Sequence, residues 1–176
     1  LEFFDRHSLR LLAGQKRTNP ALAELPEVPD RDAALYVEYH AEREPAEDDA
    51  ERELAEVAEA LERFGSDADQ AWSAESPREL ERLKTFRHAL PEAVNLAIDR
   101  RHRESPGITK LGTDMAVPAE ALEPTLAMYH RDLEAGGFEH VLYGHIGDNH
   151  LHVNIIPRSE EEYRRGRALA ERWAEP

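Results

Sequence analysis

Residues 140–156 read HVLYGHIGDNHLHVNII, two apolar, β-prone runs on either side of a polar turn. His140 to Gly144 form the first run, Leu151 to Ile156 form the second, and Asp148-Asn149 between them has the composition of a hairpin turn. Side chains two apart in a strand share a face, so His150, His152 and Asn154 point the same way from the second strand. His145, where the first strand enters the turn, folds back opposite them. Three of the chain's nine histidines thus fall within the eleven residues 144–154. Two neutral imidazoles on adjacent antiparallel strands can be bridged by one divalent ion such as Zn²⁺, Mn²⁺ or Fe²⁺. Equally, partly buried histidines can simply hydrogen-bond to backbone, and spacing alone leaves both readings open.

Upstream of the hairpin the chain alternates strand and helix. Residues 33–40, AALYVEYH, are rich in β-branched and aromatic residues after the turn-forming Pro29-Asp30, which predicts a strand in a sheet interior. Leu54, Val57, Ala58, Leu61 and Phe64 recur at helical spacing, predicting an amphipathic helix over 44–64 stopped by Gly65. Residues 71–74 read as a short strand. Ser76-Pro77 is an N-cap and first-position pair for a second helix reaching about Arg101, with a bend at Pro91 and an interior of Leu80, Leu83, Phe86, Leu90 and Val94. The alternation in 108–118, ITKLGTDMAVP, predicts another strand, followed by a helix over 119–134 that ends at Gly136-Gly137. A last helix spans 160–173. The expected class is α+β: a largely antiparallel sheet with amphipathic helices packed on one face.

Composition narrows the function. With 176 residues, 40% of them hydrophobic, the chain suffices for a single domain over 1–176. A net charge of −15, from 37 acidic and 22 basic residues, excludes nucleic acid and disfavours an anionic membrane surface, because both need clustered Lys and Arg. A well-solvated surface accounts for that acidity, as would adaptation to salt. The absence of cysteine removes disulfides and thiolate metal sites and suits a reducing cytoplasm, so any metal is held by His, Asp or Glu. No run approaches the roughly 18 apolar residues of a membrane span. The chain starts without Met and ends abruptly at RALAERWAEP, which predicts a fragment of a longer protein. No glycine-rich phosphate loop or GxSxG elbow occurs, while Arg87 carries a planar fork suited to a carboxylate and Lys110 a point charge. On their own, both also read as ordinary surface residues.

The stretch GHIGDNHLHVNI (144–155), with TDMAVP (113–118) and FRHALPEAVN (86–95) before it and LEFFDRHSL at the start, resembles the C-terminal domain of FAD-linked oxidases. This is the family of D-lactate, glycolate and D-2-hydroxyglutarate dehydrogenases, with its GH-x-GDGN-x-H motif, its aspartate strand ending in proline and its Glu-x-x-Asp-Arg start. The resemblance implies that His145 and His152 ligate a divalent metal completed by a glutamate of a later Glu-His-Gly segment. It implies that Arg87 meets a substrate carboxylate and that FAD is carried by a domain upstream of this substrate, or cap, domain. Asn149-His150 replaces the motif's Gly-Asn, His88 the glutamate beside the arginine, and Gly112 the lysine found two residues before the strand aspartate. Lys110, on the same strand face as Gly112, is the expected substitute, and Asn154 the expected further substrate contact.

The expected activity is oxidation of a 2-hydroxy acid to a 2-oxo acid by hydride transfer to FAD, the metal polarising the hydroxyl. His150 is expected to be the base that takes the hydroxyl proton, and Asp148 the carboxylate that orients an imidazole. Partners are the small 2-hydroxy acid, the FAD-binding domain of the same chain and, compatibly, a second copy in a homodimer. The location expected is cytoplasmic, with peripheral contact at the inner face of a membrane that no segment here encodes. The rival reading is a non-catalytic metal- or ligand-binding α+β module whose likeness is one of fold alone.

Overall fold

A computed structural model describes residues 1–23, 25, 27–28, 30–39, 46–66, 71–74 and 76–175. A first strand, β1 (Glu2–Asp5), runs straight into α1 (Arg6–Lys16). The junction is possible because Asp5 is extended and its carboxylate accepts a hydrogen bond from Ser8 N at 2.7 Å, capping the helix. Then follow β2 (Ala33–Tyr36), α2 (Ala46–Arg63), α3 (Pro77–Glu104), the two-residue strands β3 (Leu111–Gly112) and β4 (Met115–Ala116), and α4 (Ala119–Gly136). The hairpin strands β5 (His140–His145) and β6 (His150–Ile155) and the helix α5 (Glu160–Trp173) complete the chain.

The fold is α+β around a six-stranded antiparallel sheet in the order β2-β1-β5-β6-β3, with β4 also paired to β6. Tyr143 lies opposite His152, Gly144 opposite Leu151 and His145 opposite His150. The turn is a short 3-10 segment, Ile146–Asp148, closed by Asn149 at φ 51°, a left-handed conformation that asparagine tolerates better than most residues. β3 and β4 keep one register against β6, Leu111 facing Ile155 and Met115 facing Leu151, so they are two ends of one strand. In the gap Thr113 N still donates to Val153 O, but Val153 N donates to the Thr113 hydroxyl.

Alternation along the strands divides the core in two. Phe4 and Val141 join Leu9 and Leu12 of α1 and Phe86, Leu90 and Val94 of α3 in one cluster. Their neighbours Phe3 and Leu142 join Tyr129 and Leu133 of α4 and Leu169 and Trp173 of α5 in the other. Helices therefore cover both faces of the sheet, where the sequence pattern suggested one. Phe4 and Val141 on one face and Phe3 and Leu142 on the other each need a cover, which helices supply on both sides. Burying each such Leu, Val or Phe stabilises by about 1.5–3 kcal/mol relative to exposure.

Other elements also differ from expectation. The strand at 33–40 stops at Tyr36 and lies at the sheet edge, with Leu35 56% exposed, because β1 takes the place beside the hairpin; residue 40 lies outside the described residues. Residues 71–74 are coil. α3 passes through Pro91 and continues to Glu104, its start fixed by reciprocal bonds in which Ser76 Oγ accepts from Glu79 N at 3.3 Å and Ser76 N donates to Glu79 Oε2 at 3.0 Å. The chain divides into two compact units, Leu1–Tyr36 with Arg82–Pro176, which holds the whole sheet, and Val37–Glu81, which holds α2. In the second, Leu54 and Phe64 remain exposed, so the apolar stripe read from the sequence is only partly covered.

The start of α5 is clamped electrostatically. Arg158 donates to both carboxylate oxygens of the buried Glu162, at 3.0 Å each, and to the Gly137 carbonyl that ends α4. Burial alone would raise the Glu162 pKa; the Arg158 hydrogen bonds outweigh it and hold the carboxyl below its ordinary 4.5. A carboxyl depressed on folding contributes stability above its unfolded value and loses it as pH falls through the folded one. Glu162→Gln is therefore expected to cost about 1–3 kcal/mol near neutral pH. Urea titrations should show the gap between variant and parent closing only below about pH 4.5; a gap independent of pH would contradict it.

Candidate functional site

The site begins with the strand face opposite the α4 and α5 cluster. Tyr143, His145, His150, His152 and Asn154 alternate with the buried Leu142, Leu151, Val153 and Ile155, so they point away from those helices. The three imidazoles crowd together, with ring centroids 4.7 Å apart for His150 and His152, 5.6 Å for His145 and His152 and 5.7 Å for His145 and His150. Gly144 makes that possible. It sits at φ 141°, and a Cβ there would come 2.7 Å from His150 O and 3.0 Å from His152 Cδ2.

Two carboxylates hold the imidazoles. Asp114, in the gap between β3 and β4, lies 2.6 Å from His150 Nε2 and 3.0 Å from His152 Nδ1. The His150 hydrogen bond is the largest reason that the Asp114 carboxyl stays below its ordinary pKa. Burial lowers the His152 pKa; Asp114 opposes this, while His150 and His145 reinforce it, leaving the ring neutral near neutral pH. Glu2 of β1, 6% exposed, accepts from Arg87 of α3 and lies 2.8 Å from His145 Nδ1. A carboxylate can only accept, so His145 Nδ1 carries the hydrogen between them.

A cleft of about 430 Å³ opens over these groups. Arg87, Lys110, Asn154, His145 and His152, drawn from widely separated parts of the sequence, all line it together with Glu2 and Asp114. Asn154 is 2% exposed and its Oδ1 has no hydrogen-bond partner, an acceptor held ready in the wall. Gly112 belongs to the same arrangement, since a Cβ there would stand 2.9 Å from that oxygen. A lysine at this position would have to displace the amide.

Two of the expected residues lie elsewhere. His150 is outside the cleft lining, bonded to Asp114, and Asp148 is exposed in the 3-10 turn, also outside the lining. Orientation of the imidazoles belongs instead to Glu2 and Asp114, neither of which stood out by spacing. Both fall within motifs of the resemblance, Glu2 in the Glu-x-x-Asp-Arg start and Asp114 in the aspartate strand ending in proline, but neither motif pointed to an imidazole partner. The donor set also differs from the expected pair. One oxygen of Asp114 and one nitrogen each of His150 and His152 all lie within 4.8 Å of one another, a mixed carboxylate and imidazole group of the kind that takes Zn²⁺, Mn²⁺ or Fe²⁺. His145 stands outside that group, turned to Glu2.

With this geometry in place, the relationship to known proteins can be stated. The family model described as FAD linked oxidases, C-terminal domain, matches residues 1–175, and the chain belongs to that family. It is thus the C-terminal domain of an FAD-linked oxidoreductase, and the α+β antiparallel architecture is that of the family.

Proposed function

We propose that the chain is the substrate-holding domain of a flavin-dependent 2-hydroxy acid dehydrogenase of the D-lactate or glycolate type. The observation that carries the reading is the single cleft in which Arg87, Lys110, Asn154, His145 and His152 converge. Such an acid needs a cationic anchor for its carboxylate, a base for its hydroxyl and an α-carbon left open to an oxidant. Arg87, with five donors in a planar fork, anchors the carboxylate, and Lys110 adds charge at the rim. His145 Nε2 takes the hydroxyl proton, and Glu2 steadies the imidazolium that results. His152 and Asn154 border the hydroxyl from the sheet side.

Asp114, His150 and His152 would hold a divalent ion, which when bound lowers the pKa of the hydroxyl and fixes its direction. FAD, when bound by a further domain of the same polypeptide, supplies the acceptor for the hydride that leaves the α-carbon. The product is the 2-oxo acid. The walls of this chain orient the substrate about its α-carbon.

Calorimetric titration of the chain with D-lactate, glycolate and propionate tests the reading. The two hydroxy acids should bind more tightly than propionate, and Arg87→Met should weaken them by about 10–100-fold, the loss of a charge-assisted pair worth about 1.5–3 kcal/mol. Equal binding of propionate, or of the Arg87→Met variant, would overturn it.

A further inference from the structure

β5 carries a second cluster at its other end. His140 begins the strand five residues before His145, roughly 17 Å away at the rise of a β-strand. Its Nδ1 lies 2.9 Å from the Phe138 carbonyl, which can only accept, so Nδ1 bears the hydrogen and Nε2 a lone pair. That Nε2 is buried, in a residue 4% exposed, and has no hydrogen-bond partner. Asp5, 3% exposed, repeats the situation: its Oδ1 caps α1 through Ser8 N, and its Oδ2 is buried without a partner. Two electron-rich atoms shut away from water are costly unless a positive centre satisfies them.

His7, in the first turn of α1, supplies a third donor. Its ring centroid is 4.2 Å from that of His140, and one ligand atom each from Asp5, His7 and His140 lie within 4.8 Å of one another. We propose that Asp5, His7 and His140 form a binding site for a divalent ion of the zinc class, independent of the histidine cleft. Two imidazoles and one carboxylate are the donor set such an ion accepts, and ligand bonds of about 2.0–2.2 Å fit atoms held at this separation. A cavity of about 410 Å³ lined by His7 and His140 adjoins the cluster on the α1 side. The N-cap role of Asp5 Oδ1 fixes the carboxylate and leaves Oδ2 for the ion, as supporting hydrogen bonds do at metal sites.

The experiment is Zn²⁺ titration of the whole chain and of a His150→Ala/His152→Ala variant, which removes the imidazoles of the cleft group. The double variant should still bind one Zn²⁺ per chain. Adding His7→Ala, an exposed residue whose loss spares the core, should weaken that binding by about a hundredfold, at least what the loss of a supporting partner costs. Asp5→Asn, which keeps the cap acceptor, should do the same. In the unsubstituted chain, Zn²⁺ should shift the side-chain ¹⁵N resonances of both His7 and His140. No Zn²⁺ bound by a folded double variant, undiminished binding after His7→Ala, or unmoved His7 and His140 resonances at saturation would each overturn the site.

Discussion

Gly144→Ala is expected to lower the stability of the chain by about 2–4 kcal/mol, combining the cost of an L-residue at positive φ with that of overpacking. The φ of 141° is one that side chains rarely adopt, and the new methyl would press on His150 O at 2.7 Å. That oxygen is backbone in the partner strand of the central hairpin and cannot rotate away, so β5 and β6 must separate locally. The same methyl meets His152 Cδ2 at 3.0 Å and pushes the ring toward the cleft. Urea unfolding should show a lower midpoint with an unchanged slope. Hydroxy acid affinity should fall at urea concentrations of zero, where the variant is still folded. A loss of under about 0.5 kcal/mol, the range of ordinary surface changes, would mean that the strand relaxes without cost.

Removing the Glu2 carboxylate has the second large effect. Glu2→Ala takes away, in one step, an acceptor for the Arg87 guanidinium and the acceptor for His145 Nδ1, inside a residue only 6% exposed. Loss of hydrogen bonds to a buried charge should cost about 2–4 kcal/mol, tempered by the partial exposure of both partners. Glu2→Gln keeps the volume and one acceptor oxygen, so it should recover much of the stability. It should not recover the preference of His145 for the Nδ1–H tautomer, which ¹⁵N spectra of the ring report directly. If both variants kept that tautomer, the orientation of His145 would have to come from the backbone alone, and its assignment as the base through Glu2 would fail.

Much of the architecture was legible because long amphipathic patterns are hard to mistake. The Ser76-Pro77 start of α3, the Gly137 end of α4 at φ 63° and the span of α5 all follow from local chemistry acting within a turn of helix. The hairpin was legible for a similar reason, since its strands and turn are contiguous. β1 was not, because four residues with two carboxylates show no period, and their pairing with β5 is settled by partners some 140 positions away. The edge position of β2 follows from that omission. In the candidate site, residues on the hairpin were visible from spacing, and Arg87 only through a resemblance. Glu2 and Asp114 lay inside motifs of the resemblance, but their role escaped, because a carboxylate that reaches an imidazole across a sheet carries no local signature. Asp148, the nearest carboxylate in sequence, looked the better partner and lies in the turn.

The interruption between β3 and β4 has a mechanical side. β5, which bears His145, is flanked by β1 on one side and β6 on the other, whereas β6, which bears His152, meets the interruption on its far side. Across the gap, one of the ladder's bonds passes through the Thr113 hydroxyl, a side chain that can rotate, where elsewhere it passes through rigid peptide groups. The cleft thus has a stiffer side at His145 and a compliant lip at Thr113 and Asp114. On the proposed reading, acids of different length are accommodated by the lip yielding while His145 keeps its place.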